Sequence, residues 1–177
     1  MVKNILTTTD LTAYFYVELE RINNKQVVPL HTNVILYCSD LLSEFALINK
    51  LYDEKEDKYH ERIMGLSLLT VNNFDEKNKF KKLKEIADTS LMLCGYFVES
   101  LDKKILGINY YKKIGMFSYL ELDKISPEYR DQPSFFRNMA NTYEFIIKTF
   151  QILKATQSHQ NNPEILKILP SINNSQS

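Results

Sequence analysis

The sequence predicts an all-α protein, and three observations carry that prediction. Glycine (4) and proline (5) are too scarce in 177 residues to turn a multi-stranded sheet. Apolar residues recur at helical spacing along nearly the whole chain. The run "LMLCGYFV", residues 91–98, is apolar or small at every position, which suits a helix covered by neighbours on most sides. The architecture expected is a single compact bundle of about six helices, with the one near residues 75–101 largely buried. Residues 1–156 form the domain in this reading and 157–177 a flexible polar tail.

Each element has its own signals. Asp10 can cap a helix over 10–23, in which Leu11, Phe15, Leu19 and Ile22 form one stripe. "NNKQVVPLHT" connects it, with Pro29 as the stop signal, to a helix over 32–52 capped by Thr32 or Asn33. That second helix places Ile35, Cys38, Leu41, Leu42, Phe45 and Ile48 on one face. A third helix over 59–72 carries Ile63, Met64, Leu66 and Leu69. Asn73 with Glu76 then resembles a capping box ahead of the long helix 75–101. A fifth helix, 108–122, starts after Gly107 and carries Tyr111, Ile114, Tyr119 and Leu122. Ser126-Pro127-Glu128 has the composition of a short helical turn. The last long helix, 134–155, shows Phe136, Met139, Tyr143, Ile147, Phe150 and Leu153. The tail is broken by Pro163 and Pro170, and Ile165, Leu166 and Ile168 can dock as one turn. One alternative stays open: "KILGINYYKKIGMFSYLEL" also suits two strands, although no second sheet would receive them.

Composition argues against several functions. Lys+Arg and Asp+Glu are equal at 22 each, so no global field draws in nucleic acid or an anionic membrane. The longest apolar run, at eight residues, is far short of the ~20 that span a bilayer. The N-terminal stretch lacks an apolar h-region, so no signal peptide is expected. Cys38 and Cys94 lie 56 positions apart in apolar surroundings, the pattern of buried free thiols in a reducing cytosol. The expected localisation is cytoplasmic.

Few residues in the chain point to chemistry. Glu56 and Asp57 lie one turn before His60, but a mixed-charge run reads more simply as a solvated helix face than as a metal site. The glycines are isolated, so no phosphate loop exists, and neither cysteine has polar neighbours to activate it. No catalytic residue, metal or cofactor is expected. "KNKFKKLK", Lys77 to Lys84, holds five lysines and no acid, either a solvated lysine face or a basic patch for an acidic surface. Gly65, Gly95 and Gly115 fall inside predicted helices, where glycine costs roughly 0.5–1 kcal/mol, so Gly95 and Gly115 are expected at close helix crossings. A ligand groove beside Gly95 is the alternative.

The stretch "GYFVESL…INYYKKIGMFSYLEL", residues 95–122, resembles a family of small, uncharacterised all-helical bacterial proteins. The matching positions are Gly95, Tyr96, Phe97, Glu99, Ser100, Tyr110, Tyr111, Gly115, Ser118 and Tyr119. Val98 stands where the pattern has proline and Ile114 where it has methionine; "CSDLLSEF" at 38–45 is a weaker match. The resemblance implies a cytoplasmic bacterial helical domain and brings no activity with it. It makes Gly95, Glu99, Tyr110, Tyr111 and Tyr119 the candidate binding residues, at the junction of helices 75–101 and 108–122. The bland account is that Glu99 receives backbone amides and the tyrosines pack their rings.

The function expected is therefore a non-catalytic regulator or adaptor that binds another protein, with a homodimer as one form. Its 11 Tyr and 10 Phe can furnish a contact patch. The alternative is a sensor holding an apolar or aromatic small molecule between helices near Gly95.

Overall fold

The computed structural model describes residues 8–48, 75–103 and 107–159. Among them the protein is all-α, with α1 (Thr8–Asn23), α2 (Thr32–Ile48), α3 (Glu76–Gly95), α4 (Ile108–Ile125), α5 (Phe135–Asn141) and α6 (Tyr143–His159). A 3-10 segment spans Val98–Lys103, and a two-residue antiparallel hairpin pairs β1 (Glu128–Tyr129) with β2 (Gln132–Pro133). The helix expected at 59–72, with Glu56, Asp57, His60 and Gly65, lies outside the described residues. The chain divides into two compact units, one of residues Met1–Asp53 with Thr149–Ser177, the other Glu54–Lys148.

In the first unit α1 packs on α2. The stripe Leu11, Phe15, Leu19 and Ile22 is buried as its spacing predicts, and so are Ile35, Cys38, Leu41 and Leu42 of α2. Phe45 is half-buried. The connection between the helices is held by a side chain that periodicity does not reveal. Buried Asn23 accepts from the Leu30 amide at 2.7 Å and donates to the Leu30 carbonyl at 3.0 Å. Both its polar ends are paired, which is why an amide is tolerated there. Thr149, Phe150 and Leu153 of α6 are also buried, and Gln157 donates to the Tyr14 hydroxyl at 3.3 Å.

In the second unit α3 lies along α4, and α4 along α5. Asp75, not Asn73, caps α3: its carboxylate accepts from the Asn78 amide and the Asn78 side chain, both at 2.9 Å. The helix then stops at Gly95, six residues before the expected end. The amides of Tyr96 and Phe97 both donate to the Met92 carbonyl, at 2.8 and 2.9 Å, and the chain tightens into the 3-10 segment. Gly95 therefore closes a helix and does not interrupt one. Residues 108–125 are helical, so the two-strand alternative for this region falls.

Two further differences follow from local hydrogen bonds. The expected continuous helix 134–155 is broken at Thr142, whose hydroxyl donates to the Asn138 carbonyl at 2.7 Å, beside its own amide at 2.9 Å. The expected helical turn at Ser126-Pro127-Glu128 is instead the entry to the hairpin. Ser126 Oγ donates to the Glu128 carbonyl at 2.8 Å, and the Ser134 amide closes onto the Pro127 carbonyl at 2.7 Å. Arg130 and Asp131 at the tip have φ of 52° and 57°, the signs that a tight hairpin turn requires of both central residues. Tyr129 anchors the hairpin, its ring 4.6 Å from that of Phe136 and 5.5 Å from that of Phe135.

Candidate functional site

The polar residues of the second unit gather between α3 and α4 and at the start of α6. Asp88 stands on α3 one turn after Lys84 and is 5% exposed. Its carboxylate accepts from Lys84 Nζ at 2.6 Å and from the Tyr119 hydroxyl of α4 at 2.7 Å. A buried carboxylate survives when charge and hydrogen bond are both supplied, and here two helices supply them. Asp123, at the end of α4, is the second buried acid. It accepts from the Arg137 amide at 3.3 Å and Arg137 Nε at 2.9 Å. Ser134, the residue before α5, makes no side-chain capping bond, so Asp123 is the anion at that helix start.

Beside this network sits a tight contact. A methyl group on Gly115 would meet Tyr143 Oη in hard overlap, Tyr143 Cζ at 2.7 Å and Ser90 Cβ at 3.0 Å. The close packing expected at Gly115 is found, but a tyrosine ring and not the backbone of a crossing helix fills the space. The Tyr143 ring is 6.1 Å from that of Tyr119, which stacks on Phe136 at 6.1 Å. Tyr143 Oη is buried with no hydrogen-bond partner, as is Ser118 Oγ. Burial above all, then Cys94, Asp88 and Glu144, pushes the Tyr143 hydroxyl well above a phenol's ordinary value.

Cys94 is fully enclosed and donates weakly to the Ile108 carbonyl at 3.8 Å. Burial pushes its thiol from 9.0 up to about 12; Lys112 opposes the shift and Glu144 adds to it. The neutral thiol is the form the fold favours. Its contribution to stability is complete below pH 9.0 and is lost as pH rises toward about 12. Since the thiolate is the nucleophile, iodoacetamide at pH 8 should label Cys94 far more slowly in the native protein than in denaturant. An alkaline titration should show stability falling above about pH 9. Equal labelling rates, read by peptide mass, would contradict the burial of this thiol.

The five candidate residues have different fates. Tyr111 and Tyr119 are enclosed, 1% and 0% exposed, while Tyr110 is half-buried with its ring 5.5 Å from that of Tyr111. Gly95 is buried at the end of α3, and Glu99 is exposed on the 3-10 segment. α4 begins after Gly107, an N-cap residue with no side chain of its own to offer. The basic run lies on α3, where Lys82 pairs with Glu85 and Lys84 with Asp88.

Sequence reading missed the outer face of α4. Lys113, Phe117, Leu120 and Lys124 succeed one another at spacings of four, three and four, a single helical stripe, and all four are exposed. Phe117 is 50% exposed and Leu120 39%. The signal was present: α4 carries apolar residues on both sides, and only one side can face α3.

Among the described residues no helix is long and apolar enough to cross a membrane, and no group of three or more His, Cys, Asp or Glu is placed to hold a metal. Compared with protein-family models, curated proteins and solved structures, the chain matches none.

Proposed function

We propose that this all-α chain is a non-catalytic cytoplasmic protein of the regulator or adaptor kind, acting by binding another protein. The observation that carries the reading is the half-exposed Phe117 beside Leu120 on α4, a helix whose opposite side is already buried. Aromatic residues standing out of water-facing helices are the usual anchors of protein contacts. Supporting it, the buried titratable groups Asp88, Asp123 and Cys94 are each engaged in holding helices together. The likeness of residues 95–122 to small bacterial helical proteins belongs to the same proposal. A photo-crosslinking residue at position 117 should capture one stoichiometric protein, or a second copy of the chain. A strictly monomeric mass in solution with no crosslinked product would sink the reading.

A second reading, a sensor of a small molecule between helices, is favoured by one observation. The hydroxyls of Tyr143 and Ser118 are buried without partners, and polar groups of a ligand would satisfy them. Native mass spectrometry would show such a ligand as an added mass.

A further inference from the structure

Two features of the α4 stripe say what kind of partner it fits. Its apolar centre, Phe117 and Leu120, is bracketed by lysines eleven residues apart, Lys113 and Lys124, which is roughly 16 Å along the helix. The second feature is that this aromatic is left open. Phe145, equally exposed, has Lys148 Nζ over its ring at 5.9 Å, whereas Phe117 has no ring or cation contact among the described residues. Lys124 shares its charge with Glu121 and Lys112 with Glu144, while Lys113 makes no ion pair among the described residues.

We infer that the Lys113–Phe117–Leu120–Lys124 face of α4 receives an acidic amphipathic segment of another protein, with apolar side chains at its centre and carboxylates at both ends. The inference rests on the protein-binding reading and adds the partner's chemistry. A second copy of the same face fits badly. Two-fold symmetry about the Phe117–Leu120 centre would set Lys113 of one chain against Lys124 of the other. Nucleic acid fits badly too, because its evenly spaced phosphates would lie against Phe117 and Leu120. A bilayer surface asks for a broad apolar face, and Ile114, Tyr119 and Leu122 on the rest of α4 are already buried. Because Lys124 is shared with Glu121, Lys113 supplies most of the steering charge.

The test is a selection of random 16-residue peptides displayed on phage, using the full chain as bait. The expected winners carry Asp or Glu on both sides of an apolar centre. Their affinity should fall about tenfold or more with Phe117→Ser, the loss typical of an interface anchor. Lys113→Glu should weaken them more than Lys124→Glu, and the double charge reversal should turn the selection toward basic peptides. All four residues are exposed, and circular dichroism melts identify any variant that has lost its fold; the charge reversals then carry the test without Phe117→Ser. Winners with no acidic bias, winners indifferent to Phe117→Ser and the reversals, or tighter binding of a single-stranded oligonucleotide or phosphatidylglycerol vesicles to this face would each overturn the inference. If position 117 crosslinks a stoichiometric protein while the winners show no acidic bias, the partner chemistry fails and the protein-binding reading stands. If neither appears, both fall.

Discussion

Gly115→Ala is expected to destabilise the protein by about 1–3 kcal/mol, the cost of forcing a methyl group into a filled core. The added carbon would overlap Tyr143 Oη and press on Tyr143 Cζ at 2.7 Å and Ser90 Cβ at 3.0 Å. A tyrosine tip can move aside when its ring is free, but this ring is 0% exposed and lies against Tyr119. Tyr143→Phe separates the two effects. It removes a buried hydroxyl that has no partner, so alone it should be neutral or stabilising by about 1 kcal/mol. In combination it clears the nearest obstacle, so the double variant should be more stable than the sum of the single changes predicts. Urea unfolding of the four proteins measures this directly. A Gly115→Ala variant as stable as the parent would refute the close packing.

Asp88→Ala is the second large change. It leaves the Tyr119 hydroxyl, 0% exposed, without its acceptor and removes the partner of Lys84. Stranding one half of a buried polar pair costs about 2–4 kcal/mol. For a chain of this size that is roughly 2–4 °C of melting temperature for each kcal/mol. Replacing both partners, Asp88→Ala with Tyr119→Phe, should recover part of the loss, since no buried hydroxyl is then stranded at position 119. If the double variant is as unstable as the sum of the singles, the bond between α3 and α4 carries no coupling energy.

Much of the fold could be read from apolar spacing, because burial on one helix face writes itself into the order of residues. The Leu11–Phe15–Leu19–Ile22 stripe, the stripe of α2 and the start of α4 after Gly107 were all legible in this way. Helix ends were not. The stop at Gly95 and the break at Thr142 depend on which of several amides or hydroxyls wins one carbonyl, a competition of hydrogen bonds between near neighbours. The hairpin at 128–133 was hidden for a related reason. Arg130 and Asp131 are not the Asn-Gly pair that announces such a turn; contacts of Tyr129 with Phe135 and Phe136 hold it instead. The site was read in part. Gly115 was marked as a crossing by its cost in a helix, and Tyr119 was singled out, but its bond to Asp88 joins residues 31 apart. The outer stripe of α4, with Phe117 and Leu120 exposed, is not set apart by spacing, because apolar residues lie on both sides of this helix.

The carboxylate of Asp123 also bears on how the second unit assembles. At seven residues α5 is too short to hold its coil in water unaided. The charge that receives the Arg137 amide in its first turn is lent by the last turn of α4. Opening of the last turn of α4 takes that carboxylate away from the first turn of α5. Hydrogen exchange of the α5 amides should accordingly report the opening of α4, so that two separate stretches of chain behave as one latch.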